Sequence, residues 1–578
     1  MTDLRSSLWF DGFDLHSYCH RGWLRQDGFS DEALRGRPVV GICNMWSELV
    51  GCNVHLRSLA AAVKRGVLQA GGMPFEFSVM TPGEALQKPS SMMYRNLAAM
   101  EIEETITSNP LDAVVVLAGC DKTTASALLG AASANVPAII ATGGPALPGY
   151  WRGQRIGSGS GYWKVSQAAR IGDLTSEEYL DAETSIQRSH GHCMDMGTAS
   201  TMACISEALG MALPGSAAIP AVDVRRAVSA ERSGRRAVEL AREDLRPSQI
   251  LTPSAFRNAI HVLEAIGGST NAIIHLTAIA GRVGIRLTLD DFAAASGTPV
   301  LVDVEPTGEF LMEDFFQAGG AQAVIHELLP LLDGDALTVT GATLADGAES
   351  AHSTNADVIR TLDSPVYDES AHAILRGSLA PDGAVLKRSA ASPELLEHSG
   401  PAIVFSDIYD LSARIDDPEL PVTADSVLVL QRGGPKGAPG FPEFGTLPVP
   451  QKLIRQGVND MVRISDSRIS GTTFGTIVCH VAPEAAVGGP IGLIETGDIV
   501  TLDVPNGRLD VDIEPAELAR RAAGAPAFEP QYRRGYGALF LEHVLQAPEG
   551  ADFDFLQNLE GEPTERLPLL LMHGWTSL

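Results

Sequence analysis

Four short, mostly apolar runs mark the first quarter of the chain: residues 38–43 (PVVGIC), 74–79 (PFEFSV), 112–118 (DAVVVLA) and 136–142 (VPAIIAT). Each is too short for a helix and reads as a buried strand. Helical spacing fills the gaps between them. Residues 55–70 set Leu56, Leu59, Ala60, Val63 and Val67 on one face, and Gly71-Gly72 stops the run. Residues 92–107 and 123–135 predict two more helices. Strand, helix, strand at this spacing is a βαβ unit, and βαβ units make parallel sheets. Further helices are expected from about residue 198, over 254–266, and from Gly267-Gly268-Ser269-Thr270-Asn271 onward.

Near residues 363–376 the pattern changes to short β-type runs separated by turn residues: 402–407, 427–431, 461–465, 498–504 and 508–513. The last two flank a Pro-Asn-Gly turn, a strong hairpin signal. The expected fold class is α/β. Residues 1–367 would form a parallel-sheet α/β domain, and residues 368–578 a mostly β domain, barrel-like and swivelling. The Gly/Ser-rich stretch 149–161 follows no clear strand and lacks a GK[ST] ending, so it is expected to be an ordinary loop.

Charge narrows the functional classes. The 71 acidic against 43 basic residues give a net charge of −28, which argues against nucleic acid and anionic membranes as partners. No run reaches the roughly 18 apolar residues of a membrane span, and the first residues lack a signal-peptide core, so a soluble cytoplasmic protein is expected. Seven cysteines in 578 residues make a disulfide scaffold improbable. Each cysteine is then a core hydrophobe or a working thiolate.

The chemistry-bearing residues cluster by position. Cys52, Glu84 and the run Cys120-Asp121-Lys122 each fall just after a predicted parallel strand, where ligands gather in such sheets. Cys193 precedes the helix expected from residue 198, a placement that favours thiolate. Tight C-x₂-C pairs are absent. Cys52, Cys120 and Cys193 on separate loops can hold an iron–sulfur cluster with one open iron position, a Lewis acid rather than an electron carrier, or can each be buried core thiols. Cys19, Cys43, Cys204 and Cys479 sit in apolar or helical contexts and read as core. Glu84, Asp121 and Glu443 lie in Gly/Pro-rich loops and are hard oxygen donors suited to Mg²⁺. Lys122 either neutralises a carboxylate or, when carbamylated, becomes a ligand. Ser470 is by itself a turn residue, and near a metal a candidate base. His190-x-His192 points to zinc only weakly, since no HExxH accompanies it.

Five segments then carry a resemblance over essentially the whole chain: AGCDKTT, GHCMDMGTASTM, GGSTNAIIHL, GPKGAPGFPE and DSRISGTTFG. The sequence resembles the IlvD/Edd dehydratases, which include dihydroxy-acid, 6-phosphogluconate and sugar-acid dehydratases. CMDMGTASTM is similar to the sugar-acid branch, with pentonate enzymes such as L-arabinonate dehydratase. The resemblance implies a [2Fe–2S] cluster (alternatively [4Fe–4S]) on Cys52, Cys120 and Cys193, and Mg²⁺ on Glu84, Asp121, carbamylated Lys122 and Glu443. Ser470 would be the catalytic base and Thr472 would orient the substrate. It further implies a homo-oligomer, dimer or tetramer, and the elimination of water from a 2,3-dihydroxy sugar acid, an L-arabinonate or D-xylonate type of substrate, to a 2-keto-3-deoxy acid. Two departures stand out: Met194-Asp195 beside the cluster cysteine, and Ser467 in place of glycine ahead of Ser470. His573 in the tail is a candidate to close the site. The rival readings are the branched-chain dihydroxy-acid dehydratase and, from another class, an iron–sulfur redox or sensor protein.

Overall fold

The computed structural model describes residues 4–558, so His573 lies outside the described residues. The first sheet has the order β2-β1-β3-β4 and is parallel throughout: β1 (Val39–Asn44), β2 (Met73–Ser78), β3 (Ala113–Ala118) and β4 (Ala138–Thr142). β1, β3 and β4 are buried at every residue, which is why their sequences are unbroken apolar runs. β2 is an edge strand with half-exposed positions, and its Glu76 pairs with Lys64.

Helices α1 (Leu56–Gln69), α2 (Arg95–Ser108) and α3 (Asp121–Ala134) are the crossovers. Every residue of α3 is buried. Its composition of Ala, Ser, Thr and Gly suits a helix wedged between layers, because small side chains let its neighbours approach closely. Residues 149–161 depart from the expected loop. They fold as the hairpin β5 (Gly149–Trp151) and β6 (Gln154–Ile156), then the start of α4 (Ser160–Ile171). The N-terminus of α4 is satisfied from a distant segment, by Asp195 accepting from the Gly159 and Ser160 N–H groups at 2.7 and 2.9 Å. No local cap announces it in the sequence. Then come α5 (Thr198–Ala208), α6 (Val224–Glu243), α7 (Pro253–Ala265) and α8 (Asn271–Arg282). α6 is mostly polar in sequence and packs along α1, where a side chain at Gly66 would collide with the Glu231 carbonyl.

The second sheet has eight strands: β7 (His372–Leu375), β8 (Gly383–Lys387), β9 (Glu397–Phe405), β10 (Val427–Leu430), β11 (Arg463–Ser465), β12 (Ile477–Ala482), β13 (Ile499–Asp503) and β14 (Arg508–Val511). Their order is β14-β13-β9-β10-β11-β12-β8-β7. The two edges meet: Arg376 N–H donates to Gly507 O at 2.8 Å and Leu509 N–H to Arg376 O at 2.9 Å. The sheet is therefore nearly closed around its own apolar interior, which includes Leu386, Val429, Ile464, Val478 and Leu509, and closure removes most exposed edge. The expected α/β class with a barrel-like β-rich C-terminal part matches this architecture. β9 to β12 run parallel, so the loops after β10 and β11 leave the same end of the barrel.

Candidate active site

The carboxyl ends of the parallel strands in both sheets supply the site. The loops after β1, β2 and β3 bring Cys52, Glu84 and Cys120-Asp121-Lys122. The loops after β10 and β11 bring Glu443 and Ser470. The loop preceding α5 brings Cys193.

The three thiols are mutual neighbours. Cys52 is hydrogen-bonded to Cys120 and feels Cys193 as well. The Cys52 thiol is pushed well above its usual value by its contact with Cys120 and then by burial. Cys193 is exposed yet crowded by protein, and this crowding, followed by the charge of Asp195, pushes its thiol up. Cys193 lies five residues before α5, beyond the first turn in which a helix dipole acts. All three thiols thus lie together. Cys43, Cys204 and Cys479 are buried elsewhere, as expected of core cysteines.

Next to the thiols, one oxygen from each of Glu84, Asp121 and Glu443 falls within 4.8 Å of the others. Lys122, fully buried, sits among them. Its amine contacts Asp121 Oδ1 and lies 3.3 Å from Glu84 Oε2 and 3.9 Å from Glu443 Oε2. As an unmodified amine it neutralises the set. Burial raises Glu443 to about 7, with the Glu84 charge adding to the effect and Lys122 and Arg468 opposing it. Burial also works against Asp121, but Lys122, the His275 hydrogen bond and Arg468 outweigh it and hold that carboxyl below the usual range.

Four further residues complete this centre and were not singled out in the sequence. Arg468 is fully buried and places Nη1 2.8 Å from Glu443 Oε2 and Nη2 3.8 Å from Glu84 Oε1, while Nε donates to Phe441 O at 2.8 Å. Asn271, at the start of α8, donates to Glu443 Oε2 at 2.8 Å and reaches Thr198 Oγ1 at 3.0 Å and Ile469 O at 3.3 Å. It ties the Cys193 segment to the loops of Glu443 and Ser470. Arg95 Nη1 lies 3.2 Å from His275 Nδ1. Arginine only donates, so the His275 proton is on Nε2, the atom 3.9 Å from Asp121 Oδ1. Burial, partly opposed by Asp121, lowers His275 to about 3 and keeps it neutral. Both Asn271 and Arg468 stand inside the motifs GGSTN and DSRISG. The legible signal was a polar residue lodged in a glycine-rich loop between buried elements.

Ser470 is half-buried, its N–H donating to Gly445 O at 3.1 Å. Its Oγ lies 2.9 Å from Thr472 Oγ1, and the Thr472 N–H approaches it at 3.4 Å. Trp163 of α4 donates Nε1–H to Thr472 Oγ1 at 3.2 Å. His190 and His192, by contrast, do not converge on one point: His190 stacks on His55 at 4.7 Å, and His192 Nδ1 faces Cys193 O.

Sulfur donors and oxygen donors thus stand side by side where the parallel sheet meets the β barrel. The chain belongs to the dihydroxy-acid/6-phosphogluconate dehydratase family, whose N-terminal model matches residues 37–347 and C-terminal model residues 357–551. It is 50% identical to an L-arabinonate dehydratase of Rhizobium leguminosarum bv. trifolii over 96% of this chain and 97% of that one. It is 51% identical to an L-arabonate dehydratase of Azospirillum brasilense, with the same two coverages. A 6-deoxy-6-sulfo-D-gluconate dehydratase of Pseudomonas putida is 48% identical over 97% of this chain and 98% of its own.

Proposed function

We propose that the protein is a hydro-lyase acting on a 2,3-dihydroxy sugar acid, a pentonate such as L-arabinonate or D-xylonate, to give a 2-keto-3-deoxy acid. One observation carries this reading: consecutive residues, Cys120 and Asp121, belong to a thiol trio and a carboxylate trio, with Ser470 on the loop that also holds Arg468. The sugar-acid names of the relatives support the substrate class.

The donor sets fit the groups that the family implies. Cys52, Cys120 and Cys193 would hold the [2Fe–2S] cluster ([4Fe–4S] being the alternative), since three neighbouring thiols become good ligands once a cation takes the place of their protons. Glu84, Asp121 and Glu443 would hold Mg²⁺, with Lys122 joining them as its carbamate. When bound, these groups supply Lewis acidity to the leaving hydroxyl and to the substrate carboxylate with its 2-hydroxyl. Ser470 Oγ, as the alkoxide, takes the C2 proton and becomes the hydroxyl. The C2–H electron pair forms the C2=C3 double bond, and the C3–O bond breaks. Hydroxide leaves and, with one proton, becomes water. The enol at C2 then takes a proton at C3 and becomes the ketone. Thr472 orients the substrate and holds Ser470 Oγ.

The test is anaerobic turnover on L-arabinonate, D-xylonate and 2,3-dihydroxyisovalerate, read as keto acid, with iron and acid-labile sulfide counted on the same sample. Turnover of the sugar acids is expected. Turnover of the isovalerate alone would make the protein a branched-chain enzyme. A coloured protein that turns over none of them, and is indifferent to chelation of Mg²⁺, would be a redox or sensor protein.

A further inference from the structure

Trp163 lies outside both donor sets, yet it touches the Ser470 loop at two points. Its Nε1–H bonds Thr472 Oγ1 at 3.2 Å. The far edge of its ring lies against Gly445, so closely that a side chain there would collide with it. Gly445 is the residue whose carbonyl accepts the Ser470 N–H. The hydroxyl between them is enclosed: side chains at Gly159 and Gly197 would strike Thr472, the latter meeting its methyl at 2.7 Å.

The polarity of this chain of hydrogen bonds follows from donor chemistry. Indole nitrogen only donates, so Thr472 Oγ1 accepts from Trp163. With one lone pair taken by Trp163, the Thr472 hydroxyl is free to turn its proton to Ser470 Oγ, 2.9 Å away, the direction that applies when Ser470 is the base. The Thr472 N–H approaches the same oxygen at 3.4 Å. Two donors aimed at one hydroxyl oxygen favour its anionic form.

The position of Trp163 is itself set by Asp195, two residues after Cys193. α4 begins at Ser160, and its first N–H groups are held by the buried Asp195 carboxylate. Asp195 is one of the two departures noted beside Cys193. Ser160 Oγ also contacts Glu305, whose other oxygen takes Lys164 at 3.0 Å. Trp163 is thus anchored at the start of α4 and aimed from there.

We infer that Trp163, anchored through Asp195 at the start of α4, is a positioning residue that sets the Thr472 hydroxyl as a donor to Ser470 and so prepares Ser470 to accept a proton. The inference rests on Ser470 being the base. The experiment is a double-mutant cycle on the cofactor-loaded enzyme with L-arabinonate, or with D-xylonate if that is the better substrate, using Trp163→Phe, Thr472→Val and Thr472→Ser, alone and combined. Trp163→Phe keeps the ring and removes the donor. It is expected to lower kcat about two- to tenfold with little change in KM and with cluster absorption intact, the size of one hydrogen bond between neutral groups. In the Thr472→Val background the same substitution is expected to do nothing further, whereas with Thr472→Ser its effect persists. Additive losses in the Val background, or an unchanged kcat, overturn the inference. If Trp163→Phe does not fold, Trp163→Tyr in the same cycle replaces it with the same two outcomes. Ser470→Ala separates the two premises. An inactive Ser470→Ala with additive losses sinks the positioning role alone, and an active Ser470→Ala sinks the base and the positioning role together.

Discussion

Arg468→Met tests how the oxygen-donor centre is held together. The substitution keeps an unbranched apolar stem near Phe441, over whose ring the guanidinium sits at 5.8 Å, and removes the charge together with the Nε bond to the Phe441 carbonyl. At 2.8 Å the Arg468–Glu443 pair attracts by about 6 kcal/mol at an effective dielectric near 20. Desolvation of both partners offsets much of this. Removing one partner, however, leaves the other buried and uncompensated, a loss of about 3–5 kcal/mol. Glu84 at 3.8 Å loses a weaker partner as well. In metal-free protein Lys122 is then left to compensate three carboxylates. In Mg²⁺-loaded protein the ion supplies the missing charge, so the loss shrinks. By linkage, the variant binds Mg²⁺ more tightly than the wild type, tenfold for every 1.4 kcal/mol by which the two losses differ. The assay is denaturant unfolding of both proteins with and without Mg²⁺, read as unfolding rates where refolding is incomplete. Arg468→Lys, which keeps the charge without the two-pronged reach, is expected to fall between them. Equal losses with and without Mg²⁺, or no loss at all, would refute the reasoning.

Two further outcomes are expected. Burial, partly opposed by the Glu264 charge, holds the Lys387 amine at about 7 against an ordinary 10.5. A lowered lysine costs folding energy in full below pH 7, and the cost fades as pH rises from 7 to 10.5. Lys387→Met is therefore expected to be more stable by up to about 4 kcal/mol at pH 7 and to lack the wild type's gain between pH 7 and 10; matching pH profiles in urea melts would count against it. Protein equilibrated with ¹³C-bicarbonate and Mg²⁺ should show a carbamate carbon resonance that disappears in Lys122→Ala, and its persistence there would place the modification on another residue.

The parallel sheet was legible because β1, β3 and β4 are buried on both faces, which turns strand into unbroken apolar sequence. The same periodicity put Cys52, Glu84 and Cys120-Asp121-Lys122 at one edge before any fold was in view. β7, β8 and β12 escaped notice: they are four to six residues long and interrupted by polar positions such as His372, Lys387 and His480. Arg468, Asn271 and Trp163 were silent for another reason. Their partners lie in other loops, between 25 and 309 residues away, so the glycine-rich setting of Asn271 and Arg468 marks a loop without naming its partner, and nothing local distinguishes Trp163.

The wall around Thr472 has a consequence for how this enzyme can change. Gly159, Gly197 and Gly445 bring bare backbone against the working side chains, and no reactive atom belongs to any of them. Single substitutions there are expected to be as intolerable as those at Ser470, although none removes a functional group. Drift toward a new sugar acid is thereby channelled away from that wall and into the side chains of α4 and its anchor. There one residue can re-aim another without disturbing the thiols or the carboxylates.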